Sequence, residues 1–566
     1  MEKKSSLRHA MISLSGEVLN RVDPLGARCI MGAIEAEGHT VDLLLEDRLF
    51  SRSEILKRLK LYKPDVLWIS IQPLAFGALD FILEASCLSQ CPLILGNVGS
   101  RAISNKKLEK IGKTVIIVDG QGESATRAIC RLLEKDPFLS CQESLKAIDN
   151  LRFFDSEKKT IEITPNRPSR RNSDFRISTY LLEDAIRRDD IINARSSAGC
   201  DAACTFCTVR AINNGQGWNA GQLSELEYWL RSVVKAGKRD GSISMTDDDL
   251  AGSLANLENV SELIHKINTE CQVNLRFNFS TRADHLYHPN DSEEQREKRR
   301  NIWKRSAEIG LDAIFLGLES GSKTQLRRLG KGCAPETNFE AVKLARELGI
   351  RVEVGFIPLD PLMSQATWRQ EMLDNIKLAR YAEVFKTSPT WLAPARIYKE
   401  SALETFARKK GLLGEHNSDT DEFDSKFVAS EVVDFMNNLG PVLCQEFDGG
   451  ITNPYYRFKR EFKALQRRPA PLFRFCSFIG ETLIELELQF AEGLIHSVNE
   501  SDTLNCQLIF LRKAKKELKK MELALKPHLK ETYVEVILDT VVAARRTLED
   551  WSPGRNSNYA IKSRNS

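Results

Sequence analysis

Along the first ~135 residues, continuous apolar runs alternate with runs in which apolar residues recur three and four positions apart. The continuous runs are "AMISL", "TVDLLL", "DVLWISI", "PLILGN" and "TVIIVDG", the pattern of strands covered on both faces in a parallel sheet. Between them, "GARCIMGAIEAEG", "SEILKRLKLY", "LDFILEASCL", "SNKKLEKIG" and "ESATRAICRLLEK" carry the helical period. Ser51 and Glu54 stand at capping-box spacing at the start of the second of these helices,. Five strands and five helices in strict order predict a flavodoxin-like, doubly wound α/β domain over residues 1–138, whose ligands lie outside the carboxyl ends of the strands.

The alternation lapses from Leu139 to Asp189, where "TPNRPSRRNSD" is proline-rich and basic. Residues 139–189 are expected as a linker with its arginines on a solvated loop. The alternation resumes at Ile191 and runs for six units, with strands at "IINARSS", "GSISMTD", "VNLRFNFST", "LDAIFLGLES", "IRVEVGFIPLD" and "VFKTSPTWLAP". Six units fall short of the eight-fold barrel, so residues 190–395 are expected to form an open, partial (βα)6 barrel. Beyond Pro394 the chain, including "NPYYRFKREFKALQ", "ETLIELELQFAEGLIHSV" and "CQLIFLRKAKKELKKMELALKPHL", reads as helices, giving a C-terminal α-helical domain over residues 396–566 with its lysines on a wet face,.

Composition adds limits. A chain of 566 residues with 42% apolar and 28% charged residues is globular and multi-domain,. The net charge of +3 argues neither way on a nucleic-acid partner, because a basic footprint can be local; with the loop arginines read as solvated, none is expected,. "MEKKSSLRHAMISLSG" lacks the apolar core of a signal peptide, and no later stretch reaches the ~20 apolar residues of a membrane span. A soluble, cytoplasmic protein without a membrane partner is the expectation. The 13 cysteines are mostly scattered, so no disulfide framework is expected,.

Three cysteines break that scatter. "SSAGCDAACTFC" places Cys200, Cys204 and Cys207 on one short loop after the first barrel strand, at the carboxyl face where barrels keep their chemistry,. Packed core thiols fit poorly on a loop of Gly, Asp, Ala and Thr. A zinc site needs a fourth ligand, and the nearest downstream histidine is His265,. A redox pair would leave Cys200 idle. Three thiolates on a 4Fe-4S cluster leave one iron open to a small molecule, and this fits best.

The Cys-x-x-x-Cys-x-x-Cys spacing, with Phe206 before the last cysteine, resembles the radical S-adenosylmethionine superfamily. The resemblance implies a 4Fe-4S cluster on Cys200, Cys204 and Cys207, and S-adenosylmethionine bound at the strand ends. The positions matching the family's binding residues are Phe206, then Asp247 and Asp248 of "SMTDDDL", Ser280 and Arg282 of "STRAD", Glu319 and Ser320 of "GLESGS", and Gly355 of "GFIPLDP", with Lys331 of "LGKG" also similar. Arg282 would suit a carboxylate bidentately, or would pair with Asp284. The implied chemistry is reductive cleavage to a 5'-deoxyadenosyl radical that abstracts a substrate hydrogen, with electrons from a donor such as flavodoxin or ferredoxin.

A flavodoxin-like domain ahead of such a barrel is similar to the cobalamin-binding class of that superfamily. "DPLGARCIMGAIEAEGHTVDLL", "PDVLWISI" and "VDGQGESATRAICRLL" carry the likeness. Gln121 stands where Glu is usual, "LGNVGS" replaces the common Gly-Gly, and no Asp-x-His-x-x-Gly offers a lower ligand to cobalt. The resemblance implies cobalamin near Ser70, Gln72, Gly96, Asn97, Gly120, Gly122 and Glu123. The expected function is a cobalamin-dependent methyltransferase acting on a carbon centre of a small or carrier-bound substrate. The alternatives are rearrangement, cyclisation or epimerisation without methyl transfer and, further off, methylthiotransfer, for which Cys29, Cys87 and Cys91 lack the spacing of a second trio.

Overall fold

A computed structural model of the chain describes residues 6–14, 22–46, 51–72, 75, 77–88, 91–111, 115–140, 142–155, 158–165, 176–213, 215–384, 391–417, 420–440, 470–528, 532–551 and 553. The first sheet contains β1 (Arg8–Leu14), β2 (Thr40–Leu45), β3 (Val66–Ile71), β4 (Leu93–Gly96), β5 (Val115–Val118), β6 (Leu151–Asp155) and β7 (Thr160–Ile163), in the order β2-β1-β3-β4-β5-β6-β7. β1 to β5 are parallel. Their 2-1-3-4-5 order reverses between β1 and β3, as expected of a doubly wound domain.

The period of two along each strand sorts side chains into two layers. Ala10, Ile12 and Leu14 pack with Ile55, Leu59, Phe81 and Ile82 from the helices Arg52–Tyr62 and Ala78–Leu88. Met11 packs on the other face with Met31, Ile34, Ile129 and Leu133 from the helices Leu25–Ala36 and Glu123–Leu133. The Ser51–Glu54 capping box is formed.

The segment expected as a linker departs from its composition. β6 runs antiparallel to β5, and β7 antiparallel to β6, extending the first sheet. Leu151 and Phe153 are buried while Arg152 and Phe154 are not, a period of two too short to stand out beside the basic stretch. Of that stretch, residues 166–175 lie outside the described residues.

A buried ion pair then joins this layer to the barrel. Arg28 donates to Asp23 at 2.7 Å, and to the carbonyls of Ser178 and Tyr180 at 3.1 and 2.7 Å. Both charged side chains are at most 1% exposed. Asp23 N–H donates to Ile191 O at 2.9 Å, and Asn193 Nδ2 to Asp23 O at 3.2 Å. Stranding one partner of such a buried pair costs about 3–5 kcal/mol, so the junction fixes one sheet against the other.

The second sheet is built from β8 (Asn193–Ala194), β11 (Asp240–Met245), β12 (Asn274–Arg282), β13 (Leu311–Glu319) and β14 (Arg351–Phe356), all parallel, in the order β14-β13-β12-β11-β8. A small hairpin, β9 (Ser197–Ala198) with β10 (Asn219–Ala220), follows β8. Of the expected sixth strand, residues 385–390 lie outside the described residues, and a parallel bridge joins Leu359 to Pro394 beside it. The intervening helices cover the outer face, where Trp229, Trp303 and Trp368 are fully buried. The inner face, or floor, carries Asn278, Ser280, Arg282 and Gly317, with the Phe315 ring exposed among them.

The C-terminal part is not helical throughout. β15 (Ile397–Tyr398), β16 (Leu413–Asn417) and β17 (Glu422–Ser425) form a small antiparallel sheet around the helix Ala402–Lys409. "LGEHN" and "EFDS" are charged and only partly buried or exposed, so no apolar alternation betrays them. From Ser430 onward the described residues are helical, with long helices Ala470–His496, Glu500–Leu525 and Thr532–Asp550. The stretch "NPYYRFKREFKALQ" lies outside the described residues.

Candidate active site

The three thiols sit on the loop leaving β8, and three other segments hold that loop in place. Asp247, 3% exposed, accepts from the backbone N–H and hydroxyl of Ser196 at 3.1 and 2.7 Å and from the Ser197 hydroxyl at 2.5 Å. Burial raises its carboxyl above the usual range despite these bonds,. Asp248 is exposed and accepts from Gly199 N–H at 2.8 Å. Thr205 N–H donates to Leu329 O at 2.9 Å and its hydroxyl to Arg328 O at 3.2 Å. Leu403 N–H donates to Thr205 O at 2.6 Å. A Cβ at Gly330 would meet Ala203 O at 2.8 Å, so the "LGKG" turn presses on the cysteine loop as only glycine allows.

The sulfurs have different neighbours. Cys200 Sγ lies 3.7 Å from Asp249 Oδ2, Cys204 Sγ accepts from Arg282 Nη1 at 3.5 Å, and Cys207 Sγ accepts from Val209 N–H at 3.4 Å. Burial pushes the Cys200 thiol up to about 12 and raises that of Cys207. A bound metal ion removes such protons outright. Asp249, 2% exposed, also meets His285 Nε2 at 2.7 Å and the Thr281 hydroxyl at 3.1 Å.

Asp249 was missed from the sequence. Its signal is the period of two continued past β11: Asp247 and Asp249 both turn inward, and Asp248 between them turns out.

Other expected positions separate on inspection. Ser280 and Arg282 share the inner face of β12, whereas Phe279 and Thr281 are buried on the other face. Gly317 of β13 pairs with Gly355 of β14 on the floor, beside Phe315, which is 46% exposed. A Cβ at Gly355 would meet the Phe315 ring at 3.0 Å. Glu319 holds the Lys331 ammonium at 3.2 Å, both buried, and has φ +64, a left-handed conformation that is strained for a side chain of its kind,. Ser320 is corrected: it is fully buried and lies 2.7 Å from both Gln325 Oε1 and Asn375 Oδ1, turned away from the floor. Phe206 packs against Ala395, Ile397 and Leu403, where the small C-terminal sheet meets its helix.

The positions expected near a corrinoid gather at the carboxyl edge of the first sheet. Ser70 and Gly96 are register partners, Asn97 Nδ2 donates to Ser70 Oγ at 3.1 Å, and Gln72 Nε2 to Ser13 Oγ at 3.4 Å. Gly96 has nothing within 4 Å of where a Cβ would stand, and Gly120 has φ +81. Gly122 stands at the same edge, and a Cβ there would meet Ile30 Cδ1 of the adjacent helix at 2.9 Å. Glu123 is also engaged, pairing at 3.5 Å with Arg195, the residue before the cysteine loop begins. The open backbone at this edge fits a broad macrocycle. The domain's two histidines, His9 and His39, precede or begin strands at the opposite edge, so neither of them is placed to ligate cobalt there.

Those histidines and Cys130 bring their ligand atoms within 4.8 Å of one another. Trp68 Nε1–H donates to His9 Nδ1 at 2.8 Å, and Leu7 N–H to His39 Nδ1 at 3.3 Å. Both Nδ1 atoms are thus taken up as hydrogen-bond acceptors, which closes them to a metal,. All three side chains lie in the buried core of the first domain.

Residues 195–370 match the Radical SAM superfamily. That segment is a radical SAM domain, and it sits in a chain whose overall fold is shared with a solved cobalamin-dependent radical enzyme. The chain is similar to 4'-phospho-dehydrooxetanocin synthase of Priestia megaterium, at 28% identity over 57% of this chain and 44% of that protein. Hopanoid C-3 methylase of Methylococcus capsulatus is 23% identical over 64% of each chain. The chain thus spans under two thirds of the length of both. Among solved structures, the cobalamin-dependent S-adenosylmethionine radical enzyme OxsB, with aqua-cobalamin and S-adenosylmethionine bound, has the same fold, with TM-score 0.73 and 20% identity over 98% of this chain and 84% of that one.

Proposed function

We propose that the protein is a cobalamin-dependent radical enzyme that transfers a methyl group to a carbon centre. The observation that carries this is the Glu123–Arg195 pair, which pins the open edge of the first sheet beside the loop bearing the three thiols. When bound, a 4Fe-4S cluster supplies the electron that splits S-adenosylmethionine into methionine and a 5'-deoxyadenosyl radical, and a corrinoid supplies the methyl group. Cys200, Cys204 and Cys207 would hold the cluster, with Asp247 and Asp248 fixing their loop. Gly317 and Gly355 clear the floor below it, and the buried Lys331–Glu319 pair closes one side. Gly96 and Gly120 would let the corrinoid approach the backbone. The substrate is small or carrier-bound, and a low-potential electron donor is required. Among the described residues, no helix is long and apolar enough to cross a membrane.

A second reading, rearrangement without methyl transfer, is supported by the synthase relative, just as the methylase relative supports the first. Methylthiotransfer finds no support in the thiols. Cys29 packs toward the barrel and Cys91 against the core on the other side of the first sheet, so they form no second trio. Anaerobic reconstitution with iron, sulfide and hydroxocobalamin, followed by product analysis, decides among these. Methyl transfer yields S-adenosylhomocysteine together with 5'-deoxyadenosine. 5'-Deoxyadenosine alone from corrinoid-loaded protein selects rearrangement, and failure to retain iron overturns both.

A further inference from the structure

Arg282 closes the inner face of β12 with its side chain 14% exposed, and its five N–H groups can be followed one by one,. Nε–H and one Nη2–H donate to the two oxygens of Asp284 at 2.9 and 2.6 Å. The other Nη2–H donates to Lys331 O at 2.6 Å, and one Nη1–H donates to Cys204 Sγ at 3.5 Å. A single Nη1–H is left without a partner among the described residues. The bidentate edge expected to receive a ligand carboxylate is thus already filled by Asp284. Burial works against the Asp284 carboxylate, yet the guanidinium holds it below the usual range, so the fork stays ionic,.

Such a clamp fixes the guanidinium plane and leaves one corner aimed at a sulfur. Of the three thiols, Cys207 receives a backbone N–H and Cys200 faces a carboxylate, while Cys204 meets the guanidinium. N–H donors to cluster sulfurs are among the groups that set a cluster's potential, and stabilising added negative charge raises it.

We propose that Arg282, clamped by Asp284, is a positioning residue that makes the cluster on Cys200, Cys204 and Cys207 easier to reduce, in place of a bidentate clamp for the carboxylate of S-adenosylmethionine. The inference rests on the cluster assigned under the proposed function. The step concerned is a single electron passing from a low-potential one-electron donor to the oxidised cluster, with no bond made or broken.

The test is a redox titration of the reconstituted full-length protein without S-adenosylmethionine, followed by the paramagnetic resonance signal of the reduced cluster. Arg282→Met should leave at least tenfold less reduced relative to oxidised cluster at a fixed potential, a midpoint lower by about 59 mV for one electron. Arg282→Lys, which keeps the charge but not the fork, should fall between and serves if the methionine variant does not fold. Asp284→Asn separates orientation from charge. Losing the clamp lowers the midpoint, whereas charge alone would raise it, and a rise overturns the proposal. An unchanged midpoint in Arg282→Met with full iron content, accompanied by weaker S-adenosylmethionine binding, makes Arg282 a ligand clamp and also overturns it. Wild-type protein that holds no iron would instead bring down the cluster reading and this inference together.

Discussion

The loop carrying the three thiols and the open edge of the first sheet meet at Arg195 and Glu123, yet they are built in opposite ways. The loop is tied from outside: Asp247, Asp248, the "LGKG" turn and Leu403 each fix its backbone, and each sulfur has a neighbour of its own. The edge is tied to itself: Ser70 with Asn97, Gln72 with Ser13, and Gly96 with nothing above it. A metal cluster demands ligands held in place before it arrives, because a small displacement loses a bond. A broad macrocycle demands cleared surface, and spreads its contacts over it. Rigidity at one site and emptiness at the other are thus two answers to ligands of different size.

The comparison breaks most sharply at the thiols. Replacing Cys200, Cys204 or Cys207 by Ala should abolish iron retention, with loss of the cluster's visible absorbance. The combined variant Cys29→Ser, Cys87→Ser, Cys91→Ser should keep iron per folded protein unchanged, because these thiols serve packing or stand exposed. Half the iron in that variant would reveal a second cluster and undo the contrast.

A smaller effect separates the two glycines of the open edge. Gly122→Trp forces a ring against Ile30 and Val118, and overpacking of this kind costs about 1–3 kcal/mol,. Gly96→Trp enters open space and should leave the melting temperature unmoved. Both should lower the corrinoid retained after gel filtration, but only Gly122→Trp should lower stability too. Full corrinoid retention by Gly96→Trp would move the ligand off this edge.

How much of this was legible in the chain depended on periodicity. The parallel strands of the first sheet declared themselves as apolar runs covered by helices, and those of the barrel by their regular alternation with helical segments. The three thiols declared themselves by spacing, since all three lie on one short loop. Three things did not. β6 and β7 are a short antiparallel hairpin beside a basic stretch, and the small C-terminal sheet has charged, weakly buried strands. Ser320 was placed at a ligand by resemblance, whereas local packing decides its surroundings. Arg282 was legible as a charge near a carboxylate, but its aim at Cys204 depends on Lys331, 49 residues on, which no local pattern reveals.

The smallest effect lies at the amino edge of the first sheet, away from both sites, and sharpens the contrast by showing what a buried polar group does when no ligand calls on it. His9 is fully buried on β1, with Nδ1 accepting from the Trp68 indole at 2.8 Å and its ring centred 5.0 Å from that of His39. Burial, and then His39, hold its pKa down to about 3, with only a partial offset from Asp65. Cys130 beside it is pushed up to about 12 by burial, and Glu134 lies 3.7 Å from His39 Nε2. An unfolded histidine titrates near 6.5. Between about 6.5 and 3 the unfolded chain therefore binds a proton that the folded chain refuses, so stability rises with pH through that window and is complete above it. His9 should contribute a loss of about 1.4 kcal/mol for each pH unit descended within that window. His9→Asn keeps an acceptor for Trp68 but does not titrate. Urea midpoints measured at pH 7 and pH 5 should thus converge in the variant relative to the parent, with iron and corrinoid retention at pH 7 unaltered. Equal pH slopes in the two proteins would mean that His9 takes up its proton in the folded state, and that the amino edge is open to water after all.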